Sequence, residues 1–104
     1  MTFITPTIPT KSQYTAMKDA AMSLAQVNDA IRQRPQMWVF TRGVRSLTGE
    51  KINQIIKLVK EFNTFNEDND PYGEHDFGAF DFEGIKYFWK IEMGQLCVME
   101  ASEY

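Results

Sequence analysis

Phe77-Gly78-Ala79-Phe80-Asp81-Phe82-Glu83-Gly84-Ile85-Lys86-Tyr87-Phe88-Trp89-Lys90-Ile91-Glu92 decides the fold. Ile85, Tyr87, Trp89 and Ile91 alternate with Lys86, Phe88, Lys90 and Glu92. That period of two gives a strand one wholly apolar face. Glu83-Gly84 is a two-residue connection, so Phe77 to Phe82 and Ile85 to Glu92 read as a hairpin. Met93-Gly94 makes the next tight turn, and Gln95 to Ala101 reads as a last strand. Lys86 and Lys90 are placed to pair across strands with Asp81 or Glu83.

Upstream of this meander the period changes. From Thr48 to Phe62, Ile52, Ile55, Ile56, Val59 and Phe62 form one apolar face, which predicts a helix with Thr48 as N-cap and Glu50 in its first turn. Lys51, Lys57 and Lys60 fall mostly on its other side. Gln36 to Thr41 is rich in strand formers and too short for a helix, so it reads as a strand buried on both faces. Arg42-Gly43-Val44-Arg45 then turns away. Arg42 and Arg45 suit either a bound phosphate or carboxylate, or a solvated loop that partners the later acidic stretch. Ser12 to Gln33 reads as a first helix, with Tyr14, Met17, Ala21, Leu24, Val27 or Asn28, and Ile31 in one stripe and Ser12 or Thr15 as its cap. Arg32 and Arg34 complement the negative end of its dipole and Pro35 ends it. Pro6 and Pro9 make residues 1–11 an extended lead. The prediction is one α+β domain over residues 12–104, in the order α-β-α-β-β-β. Two helices would pack on one face of an antiparallel sheet of about four strands.

A chain of 104 residues supports one modest core, and eight Phe, four Tyr and two Trp supply much of its apolar area. No long apolar run would span a membrane, and the N-terminus lacks the basic-then-apolar pattern of a signal peptide. With a single Cys97, a cytoplasmic location is expected. The charge is divided along the chain. Residues 1–60 hold nine Lys/Arg and three Asp/Glu, whereas residues 61–104 hold two Lys and eleven Asp/Glu. Direct nucleic-acid binding is therefore not expected, while an acidic face meeting a basic protein surface is.

The acid is concentrated between the second helix and the hairpin. Glu67, Asp68, Asp70, Glu74 and Asp76 surround Tyr72 and His75, the only histidine. A calcium-loop register starting at Asp68 fails, because Tyr72 and Ala79 stand where ligands belong. With one His and one Cys in the chain, a transition-metal site is not supported, and no metal or cofactor is expected. A small hydrolase or metal-dependent enzyme would use His75 as base with Glu74 and Asp76 beside it. In an extended segment, though, His75 faces away from both, and nothing marks Ser46, Ser102 or Cys97 as a nucleophile. Asn and Asp also serve turns for their own sake. The remaining reading is recognition, with Glu67, Asp68, Asp70, Glu74 and Asp76 as the contact and Tyr72 as an aromatic anchor.

Asp70-Pro71-Tyr72-Gly73-Glu74-His75-Asp76-Phe77-Gly78-Ala79-Phe80, Phe88-Trp89-Lys90-Ile91 and Ala101-Ser102-Glu103-Tyr104 together resemble an uncharacterised family of short proteobacterial proteins, a domain of unknown function frequent on plasmids and other mobile elements. Thr41-Arg42-Gly43-Val44, Asn28-Asp29 and Ile31-Arg32 fit the same pattern. Family members usually carry an acidic insert before the last strand, where this chain has only Glu92-Met93-Gly94-Gln95. The resemblance implies a small protein that protects an incoming element by binding host machinery. An anti-CRISPR or anti-restriction inhibitor that covers the basic surface of a nucleic-acid-binding defence complex would fit.

Overall fold

The computed structural model describes residues 23–104. The expected lead over residues 1–11 and the first part of the expected helix, with Tyr14, Met17, Ala21 and the caps Ser12 and Thr15, lie outside the described residues. The elements run α1 (Leu24–Ile31), a 3-10 turn (Pro35–Met37), β1 (Val39–Phe40), α2 (Arg42–Arg45), α3 (Gly49–Glu61), β2 (Phe77–Phe82), β3 (Ile85–Glu92), β4 (Gln95–Glu100) and a second 3-10 turn (Ala101–Glu103).

The meander forms where the alternation places it. Glu83 and Gly84 adopt φ of 53° and 81°, and Met93 and Gly94 adopt 50° and 81°. Both turns therefore have two left-handed residues, the type whose twist matches paired strands. The first sets Phe82 opposite Ile85 and the second sets Glu92 opposite Gln95. Tyr87, Trp89 and Ile91 of β3 are buried with Leu96 and Val98 of β4. Val27 and Ile31 of α1, Val44 of α2, and Ile55 and Val59 of α3 pack on the same cluster. Each such side chain contributes about 1.5–3 kcal/mol when fully buried. The helices thus lie on one face of the sheet, as the apolar stripes require.

The sheet order is β1-β4-β3-β2, and β1 runs parallel to β4. The sheet is mixed, which corrects the wholly antiparallel expectation. Turn chemistry specifies only strands joined by turns. β1 reaches β4 after the chain has passed through two helices, a loop and the β2–β3 hairpin, so no local signal fixes its direction. β1 is also shorter and less buried than expected. Pro35 opens a 3-10 turn that takes up Gln36 and Met37. Val39 sits level with Cys97 on the face away from the helices and is 47% exposed, while Phe40 sits level with Val98 on the core side. Thr41 is extended, and Arg42–Arg45 then coils into a helical turn around the buried Val44, where a loop was expected.

The first helix also differs. Ser23 has φ −69° and ψ 156°, and its hydroxyl accepts from Gln26 N at 3.1 Å while Gln26 Oε1 accepts from Ser23 N at 2.9 Å. This reciprocal capping starts α1 at Leu24, so no single helix runs from Ser12 to Gln33. α3 is capped by Thr48, which accepts from Lys51 N at 3.3 Å. Lys86 pairs with Asp81 across β2 and β3 at 3.9 Å, but Glu83 takes Lys51 of α3 at 2.9 Å and Lys90 takes Glu92 at 3.8 Å. No helix among the described residues is long and apolar enough to cross a membrane.

Candidate functional site

The acidic stretch is two successive turns with a defined internal frame. Asn66 Oδ1 accepts from Asp68 N at 2.8 Å and Asn69 N at 3.1 Å, while Asn69 Nδ2 donates to Thr64 O at 2.7 Å. Short amide side chains here replace the backbone partners that a helix or strand would supply. Asp70 then organises the second turn. Its Oδ1 accepts from Glu74 N at 2.9 Å and from His75 N at 3.2 Å, and its side chain is only 5% exposed. Gly73 adopts φ 63° between them, and His75 adopts φ 55° at the exit. A carboxylate on two backbone N–H groups is strongly held, so Asp70 is a structural group turned inward. That corrects its expected place on the contact surface.

What the frame leaves outside is Glu67, Asp68 and Tyr72, all exposed, with the Tyr72 ring 84% exposed at the tip. Glu74 and Asp76 are half-buried at the rim. Their backbones are used inward: Glu74 O accepts from Asn28 Nδ2 at 2.9 Å, and Asp76 O accepts from Ile91 N at 2.8 Å. Among the described residues, no ion pair engages Glu67, Asp68, Glu74 or Asp76.

His75 does not form a unit with Glu74 and Asp76. Its positive φ breaks the simple alternation assumed for an extended segment, yet the ring still leaves both neighbours. Nδ1 meets Asp29 Oδ1 of α1 at 2.9 Å, Nε2 lies 3.8 Å from Asp70 Oδ2, and the ring stacks on Phe65 at 4.0 Å and 5°. Asp29 also accepts from Arg32 Nη2 at 3.1 Å. Arg32 Nη1 reaches Phe62 O at 2.7 Å and Val59 O at 2.9 Å, the carbonyls that end α3. Its guanidinium lies 5.1 Å from the Trp89 ring and 5.4 Å from the Phe65 ring. Arg32 thus neutralises the C-terminus of α3, the opposite helix, in place of the exposed end of its own. Asn28 Oδ1, Arg32 Nε and Trp89 Nε1 are buried without a hydrogen-bond partner among the described residues.

The other motif segments meet at the far end of the sheet. Glu103 accepts from Gly43 N at 2.8 Å, from Glu100 N at 2.9 Å and from the Thr41 hydroxyl at 2.5 Å. These donors hold its carboxyl below the usual carboxylate range. A Cβ on Gly43 would stand 2.6 Å from a Glu100 carboxylate oxygen, so that side chain would have to swing aside to admit one. Ser46 donates to Gly43 O, Ser102 lies 3.4 Å from Glu100 Oε1, and burial pushes the Cys97 thiol up. Among the described residues, none of the three is hydrogen-bonded to the histidine. No group of three or more His, Cys, Asp or Glu side chains among the described residues is arranged to hold a metal.

Composition and spacing missed Phe65, Trp89 and Glu103 as partners of these segments. One signal was present for Asn28 and Arg32: polar side chains interrupting the apolar stripe of a helix mark buried polar contacts. The chain was also compared with known proteins. A family model described as a protein of unknown function (DUF3768) matches residues 40–103, which spans both motif clusters except their α1 residues. No curated protein and no solved structure matches.

Proposed function

The chain belongs to the DUF3768 family of proteins of unknown function, and from that premise we propose that it is a small non-catalytic protein-binding modulator. Its acidic turn meets a basic protein surface. The observation that carries this reading is the division of labour within the turn. Asp70, Asn66 and Asn69 are spent on the frame, while Glu67, Asp68 and the 84%-exposed Tyr72 project from it. A rigid loop that displays charge and one aromatic ring loses little entropy on binding. Glu74 and Asp76 add charge at the rim. An anti-defence role on a mobile element, against a CRISPR or restriction complex, is the setting we propose for it.

The test is affinity capture from a proteobacterial lysate, with the Glu67→Gln, Asp68→Asn, Tyr72→Ala variant as control. The reading expects a basic protein that the wild type retains and the variant does not. Equal retention by both would sink it. The rival, a small hydrolase or metal-dependent enzyme centred on His75 with Glu74 and Asp76, draws on the 2.9 Å contact between His75 and Asp29. Hydrolysis of a generic ester or phosphodiester by the wild type that His75→Gln abolishes would favour it over recognition.

A further inference from the structure

β2 is the outer strand of the sheet, and among the described residues it pairs with β3 alone. The two-residue turn at Glu83-Gly84 fixes which backbone groups that pairing uses. Phe82 and Ile85 flank the turn, and Ile91 N donating to Asp76 O at 2.8 Å continues the same alternation. Asp76, Gly78, Phe80 and Phe82 therefore direct N–H and C=O at β3. Phe77, Ala79 and Asp81 direct theirs away from the sheet. Exposed edges are usually blunted by proline, lysine, a bulge or brevity. β1, at the other edge, has two residues, whereas β2 has six, with no proline and no lysine.

Beside this edge runs a groove of about 410 Å3, lined by Leu58, Glu61, Phe62, Asn69, Ala79 and Phe80. It joins the open strand to the end of α3 and to the acidic turn. Glu61 is the one charged residue in its lining. Glu61, Glu67 and Asp68 are exposed, and among the described residues no ion pair engages them. Among the described residues Asp81 pairs with Lys86 alone, at 3.9 Å, with both side chains largely in solvent. A second copy paired through β2 would gather these carboxylates twice at one interface, so charge opposes self-association there.

We infer that a basic, extended segment of the partner protein adds to β2 as a fifth strand. Its backbone pairs with Phe77, Ala79 and Asp81, and its Lys or Arg side chains meet Glu61, Asp81 and the acidic turn. This rests on the recognition reading above and names the form that the partner takes.

The probe is a labelled peptide of alternating lysine and valine, titrated with the full chain by fluorescence anisotropy. A second peptide carries the same charge with alternate backbone nitrogens methylated. Ala79→Pro removes an outward N–H that the β2–β3 ladder does not use, and thermal melts report its folding. The methylated peptide and Ala79→Pro should each weaken binding by about tenfold, since several backbone hydrogen bonds are lost. Glu67→Gln with Asp68→Asn should weaken it in a way that added salt erases. If only the loop pair weakens binding, strand addition is overturned and acidic recognition stands. If no variant or methylation changes binding, both fall. A wild-type dimer that Ala79→Pro converts to monomer in sedimentation would assign the edge to a second copy and overturn the inference. The methylated peptide keeps the test decisive even if Ala79→Pro does not fold.

Discussion

Replacing Arg32 with alanine should be the most damaging single change among the polar groups of this domain. Arg32 is 5% exposed, and its guanidinium donates to Phe62 O at 2.7 Å, Val59 O at 2.9 Å and Asp29 Oδ1 at 3.1 Å. Alanine leaves the part-buried Phe62 carbonyl without a donor, leaves Val59 O with only the long bond from Phe62 N at 3.3 Å, and removes the cation from above Trp89 and Phe65. An unsatisfied carbonyl together with the lost cation–π contacts costs about 2–4 kcal/mol. At roughly 4–8 °C per kcal/mol for a domain of this size, the melting temperature should fall by about 8 °C or more. Arg32→Lys keeps the charge but cannot fork across the carbonyls and Asp29 together, so it should recover only about half of the loss. Asp29→Asn should cost below about 1 kcal/mol, because that carboxylate is half exposed. Urea unfolding followed by circular dichroism measures all three. If Arg32→Ala stays within about 1 kcal/mol of the wild type, the claim that Arg32 ties α1 to α3 and the sheet is wrong.

Gly78→Ala should destabilise by about 1–3 kcal/mol, because its Cβ would stand 2.3 Å from Trp89 Nε1 in the core, and urea unfolding reads this directly. Ser23→Ala should cost about 1 kcal/mol and raise hydrogen exchange in the first turn of α1, as the reciprocal cap is lost. Glu103 titrates below its ordinary range in the fold, so its contribution is present above that range and is lost as the pH falls through its folded value. Glu103→Gln should therefore flatten part of the acid limb of the stability curve, measured as the difference in urea midpoint between wild type and variant from neutral to acid pH.

The three-strand meander was legible because its signals are local. Alternation through Ile85 to Glu92 names the buried face, and Glu83-Gly84 and Met93-Gly94 fix the register on both sides. α3 was legible for the same reason, with Thr48 marking its start. β1 was not, because its partner β4 lies far along the chain and pairs with it in parallel. The break at Ser23 was hidden by an apolar stripe that continues across it, while the cap depends on one short pair of side chains. The acidic turn was legible as a turn-forming segment, but its interior was not. Nothing local tells Asp70, which holds backbone N–H groups, from Asp68, which faces solvent. His75 found its carboxylate on α1, a partner that only the tertiary fold supplies.

The central claim is that the outward residues of the acidic turn, rather than its frame, make the contact with a basic protein. The measurement is the affinity of the captured partner for the wild type and for Glu67→Gln with Asp68→Asn and Tyr72→Ala, at low and at moderate salt, with thermal melts in parallel. The account predicts a variant that melts like the wild type, binds at least about tenfold more weakly at low salt, and shows a shallower salt dependence. A variant that folds equally well and binds with the same affinity and the same salt dependence would contradict it.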